Sequence, residues 1–426
     1  MAPRFTFSSQ FAAKYNTVTA KSSVPSKNLW LLITVSSLGY FVDVFDLLLF
    51  SVVRKKSLLD LGVADADTLA IGLRLLNWQM FGILLGGFAW GMVGDKRGRL
   101  SVLFGSIILY SVANLANGFA HSVWEYEACR FIAGFGLAGE LGAGITLVSE
   151  CMSSERRGLG TMLIATVGVP GAIFAAWVGA AYSWRTAFFI GGGMGLALLL
   201  MRVGLYESGL YDSVREAGIV RGSLLLLFRT PARIYRFLLC ILTGLPAYLV
   251  IGILITLAPE FGKAMNLNPA PVAGTAIILA YTGLTVGGLL CSGLSQVLRR
   301  RRAAMIIFHL VCLVSTLVYL YWTPADLFGY YARCLFLGIG VGFWALMVTV
   351  AAEEFGTNLR ATVTTAVPNL ARGALIPITW AFNLARDHLG IIDGAAVVGI
   401  GCLLIAIVAI ALSRETFGKS LDFLEE

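Results

Sequence analysis

The chain has 426 residues, 58% hydrophobic and only 13% charged, with a mean hydropathy of +0.82. A soluble domain carries roughly 25% charged residues, so this composition excludes a soluble enzyme or binding module. The formal charge of +8 and pI near 9.2 have no soluble basic face that could hold nucleic acid.

Apolar runs of bilayer length, separated by charge or by Pro/Gly clusters, predict twelve spans. In chain order they cover 29–53, 69–94, 100–120, 124–150, 160–182, 184–206, 236–259, 273–297, 303–321, 328–352, 363–385 and 394–413. The first run is too long for a signal-peptide core and lacks a small-residue cleavage site, so it stays as a span. One long polar connection, 207–235, separates the sixth span from the seventh; it holds Glu207, Asp212, Arg215, Glu216, Arg221, Arg229 and Arg233. The expected fold is an all-α membrane protein of two six-helix bundles, 1–206 and 236–426, joined by the linker 207–235.

The bundles repeat each other. Arg130 to Glu150 frames the fourth span and Arg333 to Glu353 the tenth, about 203 residues on, and Arg157 and Arg360 follow at equal spacing. Duplicated bundles of this kind build many secondary transporters. Lysine and arginine fix the orientation. With the N-terminus inside, the inner side collects Lys96, Arg97, Arg99, Arg156, Arg157, the linker arginines, Arg299 through Arg302, Arg360 and Arg414. The outer side keeps only Arg54, Lys55, Lys56, Arg185, Lys263 and Arg386. Both termini are expected in the cytoplasm.

The connection after the second span reads GMVGDKRGRLSVL, with Gly91, Asp95, Gly98 and Arg99. It resembles the signature loop of the major facilitator superfamily. The resemblance implies a gating charge network of Asp95, Arg99, Glu150 and Arg157, echoed by Glu353 and Arg360; the bland alternative is a loop held inside by its basic residues. A weaker copy, CSGLSQVLRRRR, has Gln296 where the aspartate would stand. GYFVDVFDLLLFS in the first span, ERRG at 155–158 and Trp184–Arg185 are similar to the sugar-porter and organic-acid:proton symporter branches. The seventh span lacks the amide cluster that sugar porters use, which favours organic acids or metabolites. A bacterial cytoplasmic-membrane protein is the expected setting, acting as a monomer.

Charges inside spans are costly and mark function by default. Asp46 lies roughly 10 Å and Arg130 roughly 9 Å inside the outer ends of their helices, from about 1.5 Å rise per residue. They can meet across a water-accessible path, and the resemblance implies that the aspartate takes the coupling proton. Alternatively, Glu127, one turn from Arg130, satisfies it locally. Asp43 and Glu140 are competing proton sites or packing contacts. Arg372 has no acidic neighbour in sequence and lies between Pro368 and Gly373, which suggests a broken or kinked helix lining a cavity. It suits an anionic substrate, or else an interhelical salt bridge. Arg74 and Arg333, nearer the outer face, pair structurally or contact ligand.

Asn77, Trp78, Gln79, Trp344, Asn369 and Trp380 lie at comparable depth and complete the substrate-binding candidates; tryptophans also serve as interface anchors. The seven cysteines form no CxxC pair and read as apolar packers, so no metal site is expected. Three scattered histidines make no proton relay, and no catalytic triad, phosphate loop or HExxH motif occurs. The reading is a carrier, not an enzyme, without a cofactor, importing a small organic anion with protons. An exporter or a proton-independent facilitator would share the bundle.

Overall fold

The computed structural model describes residues 26–97, 99–140, 142, 144, 164, 167–207, 224–322, 324, 326–419 and 425. Among them, nine helical stretches are long and apolar enough to cross a membrane, and Pro170–Ala181 is a shorter apolar helix. The described helices fall at the places of all twelve expected spans. The first six are α1 (Ser26–Asp60), α2 (Thr68–Arg97), α3 (Arg99–Gly118), α4 (Val123–Leu137), α5 (Pro170–Ala181) and α6 (Trp184–Glu207).

The later passes are more broken. The seventh comprises α7 (Pro231–Leu242), α8 (Leu245–Tyr248), a π-helical turn (Leu249–Ile255) and α9 (Ala258–Ala264). α10 (Ala273–Leu298) and α11 (Arg301–Tyr321) follow. The tenth pass is α12 (Leu327–Gly340) with α13 (Phe343–Glu354), the eleventh α14 (Thr357–Gly373) with α15 (Leu375–Leu389), and the last α16 (Ile391–Leu412).

Proline sets most of these interruptions, because it has no N–H for the carbonyl four residues back. Pro246 leaves the Leu242 carbonyl without a helical donor, Pro259 does so to Ile255, and Pro377 to Gly373. Pro368 lies inside α14, and the break expected around Arg372 falls just after Gly373, where α14 ends and α15 begins. The seventh pass starts at Pro231, so Arg233 belongs to a helix and bonds Glu425 rather than lying in the linker. α1 runs on to Asp60, so Arg54, Lys55 and Lys56 sit on its last turns and not in a loop.

The two bundles repeat each other contact by contact. α2 packs closely on α4, and α10 on α12 in the same way. Gly134 lies against the Gln79 carbonyl and Gly338 against the Ala280 carbonyl, each so close that a Cβ would overlap it. Gly82 meets the Phe131 carbonyl as Gly283 meets that of Leu335. Small residues let transmembrane helices approach this closely.

That register corrects the sequence alignment of the arginines. Arg130 stands four residues before Gly134, and four before Gly338 stands Cys334. The helix contacts set the register one residue away from the charge pattern, and Arg333 is left half-buried beside the position it was expected to fill.

Between the bundles, α2 packs on α14 and α5 on α10. At the end formed by the α1–α2 connection, Arg54 of α1 pairs with Glu260 of α9, and Ser51 meets Thr256 at 3.2 Å. Outward faces carry exposed Leu200, Val286, Leu404 and Val408, as a lipid-facing surface requires.

Candidate functional site

The bundles meet around Arg372, in the last turn of α14. Its Nε donates to the Tyr248 hydroxyl at 3.1 Å, and Nη2 to Asp43 Oδ2 at 3.4 Å. Nη1 and Asp43 Oδ1 have no hydrogen-bond partner among the described residues. Asp43 comes from the middle of α1, and Tyr248 from the short α8 between two interruptions. The Trp344 ring packs edge-on against Tyr248, with centroids 5.4 Å apart. Tyr40 and Tyr281 lie within electrostatic range of the same guanidinium. Of the two readings left open for Arg372, the interhelical ion pair is present. It is long and single where guanidinium–carboxylate pairs are often bidentate, and it leaves both N–H groups of Nη1 unused among the described residues.

One turn along α1, Asp46 is fully buried, and neither of its oxygens has a hydrogen-bond partner in good geometry among the described residues. Arg130 and Asn114 lie within electrostatic range of it. Arg130 does not close on Asp46: its Nη2 donates to Asn114 Oδ1 at 2.6 Å, and its guanidinium lies over the Phe188 ring at 4.6 Å. The α6 backbone comes in at Gly191, where a side chain would press on Asp46 Oδ1. Glu127 is not the partner of Arg130. It holds Arg74 of α2, so Arg74 is structural here.

Asp43, Asp46, Arg130 and Arg372 are all buried in this arrangement, with at most 2% of each exposed. The water-accessible path expected between them is therefore closed at these side chains. Closure follows from the contacts of α1 with α9 at one end and of α14 with α2 and α4 nearer the other. Asn369 contributes to the latter, donating to the Ala138 carbonyl at 2.8 Å where α4 ends in a turn.

Glu140 is committed elsewhere. It makes a two-point ion pair with Arg202 of α6, 3.0 Å at one contact, both side chains 2% exposed, with Gly39 of α1 passing directly over it. Sequence reasoning missed Arg202, although its place inside the sixth span was the available signal. It also missed Tyr248, whose importance arises only once Arg372 is brought to it.

The remaining candidates divide. Gln79 is buried with both amide atoms unpartnered, and Asn77 has an unpartnered Oδ1. Trp78 and Trp380 are 40% and 70% exposed on lipid-facing stripes, so neither lines a pocket here. Trp78 shares its stripe with Arg74, Phe81 and Leu85, spaced at helical intervals, which turns the indole outward. Trp344 alone of the three faces the Arg372 cluster.

Of the gating network, Gly91 lies in the last turns of α2. Gly98, Glu150 and Arg157, and the side chains of Asp95 and Arg99, lie outside the described residues. Glu353 pairs with Arg301 at 2.8 Å and accepts from Thr416 at 2.7 Å, while Arg360 donates to the Ala352 carbonyl at 2.8 Å. Among the described residues, the arginine run at 299–302 supplies the basic partner of Glu353, Arg301.

A sequence model described as Major Facilitator Superfamily matches residues 29–378. A Haemophilus influenzae protein named as a metabolite transport protein is 26% identical, over 92% of this chain and 98% of its own length. The sialic acid transporter NanX of Escherichia coli is 24% identical, over 90% and 94%. The structure of the xylose transporter XylE from E. coli superposes with a TM-score of 0.71 at 15% identity, over 93% of this chain and all of that one. At that identity the likeness speaks for the fold.

Proposed function

This chain belongs to the major facilitator superfamily, and we propose that it carries a small organic acid across the membrane together with protons. It is a multi-pass membrane transporter of small molecules and not an enzyme. The observation that carries the finer reading is Arg372, buried where the two bundles meet, with an unused N–H beside a ring of tyrosines. A guanidinium binds a carboxylate through planar, paired hydrogen bonds, and aromatic walls suit the organic remainder. That a relative is named for sialic acid, itself a carboxylic acid, supports the same class.

Asp46 is the proposed proton carrier for the conformational cycle. A buried carboxylate without hydrogen bonds is costly while charged. Here the field of Arg130 and the Asn114 amide compensate it in part. A proton on Asp46 relaxes its hold on Arg130, which is already engaged by Asn114. The lysine and arginine distribution supports both termini in the cytoplasm and two bundles joined through 207–235. The Arg54–Glu260 tie is then outside, and the bacterial relatives suit an inner-membrane address.

Uptake into proteoliposomes, with carboxylates, sugars and cations offered with and without an inward proton gradient, tests the proposal. Accumulation of a carboxylate above equilibrium, only when the gradient is imposed, is expected. Equilibration indifferent to the gradient would make the protein a facilitator, and gradient-driven efflux an exporter. Uptake of sugars in preference to acids would remove Arg372 from the substrate site.

A further inference from the structure

Asp43 stands where a bound carboxylate needs to be. Its helix, α1, and the α14 helix of Arg372 belong to opposite bundles, so their ion pair also ties the bundles together. At 3.4 Å the pair is longer than the 2.7–2.9 Å typical of charge-assisted bonds, and Asp43 Oδ1 receives no donor among the described residues. The internal acid holds the arginine incompletely.

A second carboxylate entering beside Arg372 would leave one negative charge without a counter-charge. The other charged groups that reach Asp43 offer no relief. Glu140 of α4 is acidic and already paired with Arg202, and Asp46 on the next turn of α1 is acidic too. Tyr40 of α1, Tyr110 of α3, Tyr248 of α8 and Tyr281 of α10 bring hydroxyls but no positive charge. An unpaired charge in the membrane interior is expensive, so the site accepts a new anion only by losing the old one.

We propose that Asp43 and the substrate carboxylate compete for Arg372, and that the substrate binds as Asp43 takes up a proton. Asp43 becomes the neutral acid, Arg372 keeps its charge, and the substrate anion replaces the aspartate as its partner. One proton enters with one negative charge, so the site is as neutral loaded as empty. The inference rests on the reading of Arg372 as the anion anchor. It adds a binding-linked proton on Asp43, distinct from Asp46.

Binding to the purified full-length protein tests this, with benzoate, 3-phenylpropionate and sialic acid as probes. For a probe that binds the wild type, affinity should fall about tenfold per pH unit at the alkaline end, with uptake of about one proton per anion. The Asp43→Asn variant should bind with affinity independent of pH and, at about pH 8.5, at least tenfold more tightly than the wild type. A pH slope unchanged in that variant, or one lost in Asp46→Asn instead, overturns the proposal. If Asp43→Asn does not fold, the proton count on the wild type decides, and binding without proton uptake at alkaline pH overturns it. Failure of every carboxylate to bind the wild type overturns the anion reading itself, and this inference with it.

Discussion

The cores of the two bundles use one scaffold for different purposes. Gly136 lies against Tyr110 as Gly340 lies against Cys312, which sets the third and ninth passes in register. Asn114 then corresponds to Thr316 and Asn117 to Tyr319, while on the next helix Tyr126 corresponds to Tyr330 and Arg130 to Cys334. The first bundle fills these places with amides and a guanidinium whose hydrogen bonds are incomplete. The second leaves the Thr316 hydroxyl unpartnered too, but fills two of the places with tyrosines that neighbouring backbone satisfies: Tyr319 bonds the Leu254 carbonyl at 2.9 Å and Tyr330 that of Ala258 at 3.1 Å. α1 is one uninterrupted helix with no spare carbonyls, whereas the seventh pass is interrupted and exposes several. The glycine contacts are shared and the chemistry differs: among the described residues, buried charge gathers in the first bundle and most helix interruptions in the second.

The largest test of this division is at the place where the bundles meet. Arg372→Ala should lower carboxylate uptake by about a hundredfold or more, because an anchoring charge pair is worth several kcal/mol. Uptake within a few-fold of wild type would mean that the second bundle contributes no charge to binding.

Next comes a matched pair. Arg130→Met should abolish gradient-driven accumulation, whereas Cys334→Ala at the corresponding place should leave transport intact and cost about 1–2 kcal/mol in stability at most. Equal loss of transport in both would erase the asymmetry. Glu140→Gln, which removes the carboxylate of the buried two-point pair with Arg202, should destabilise the first bundle by about 3–5 kcal/mol. Thermal unfolding in detergent reads this directly, and an unchanged midpoint would show the pair to be dispensable.

The shared scaffold predicts likeness instead of difference. Gly134→Ala and Gly338→Ala should each cost about 1–3 kcal/mol through overpacking, and a large disparity would break the structural equivalence. The smallest effect belongs to Trp380→Leu on the lipid face, expected within about 0.5 kcal/mol of wild type. A marked loss of transport there would return Trp380 to the substrate site.

Much of the architecture was legible because bilayer thickness imposes a run length on the sequence. The expected limits 273–297 and 303–321 differ from α10 and α11 by at most two residues. Interruptions were harder to read. Pro246 and Pro259 sit in a run so apolar that it reads as a single span, and the π-helical turn carries no composition of its own. The charges were visible, but their partners were not. Whether Arg130 meets Asp46, Glu127 or Asn114 depends on helix rotation, which differs by a full face within two residues. The same rotation hid the Arg202–Glu140 pair and turned Trp78 to lipid. Arg333 misled because matching charges were aligned by type, while the helices are aligned by the glycines that let their backbones touch.

The interruptions of the seventh pass carry one more consequence. Their loose carbonyls are already served from outside: His309 brings a ring nitrogen to within 3.0 Å of the Thr243 oxygen, and two tyrosines serve Leu254 and Ala258. The joints keep some backbone bonds, such as Gly244 N–H to the Ile241 carbonyl and Leu257 N–H to that of Ile253, both at 2.9 Å. They lack those that the prolines cannot donate, so bending there sacrifices fewer ladder bonds than bending an unbroken helix. The unbroken first pass has no such articulation and must tilt whole. A crosslink stapling α7 to α9 should therefore arrest the cycle, while one bracing the middle of α1 along its own length should pass unnoticed.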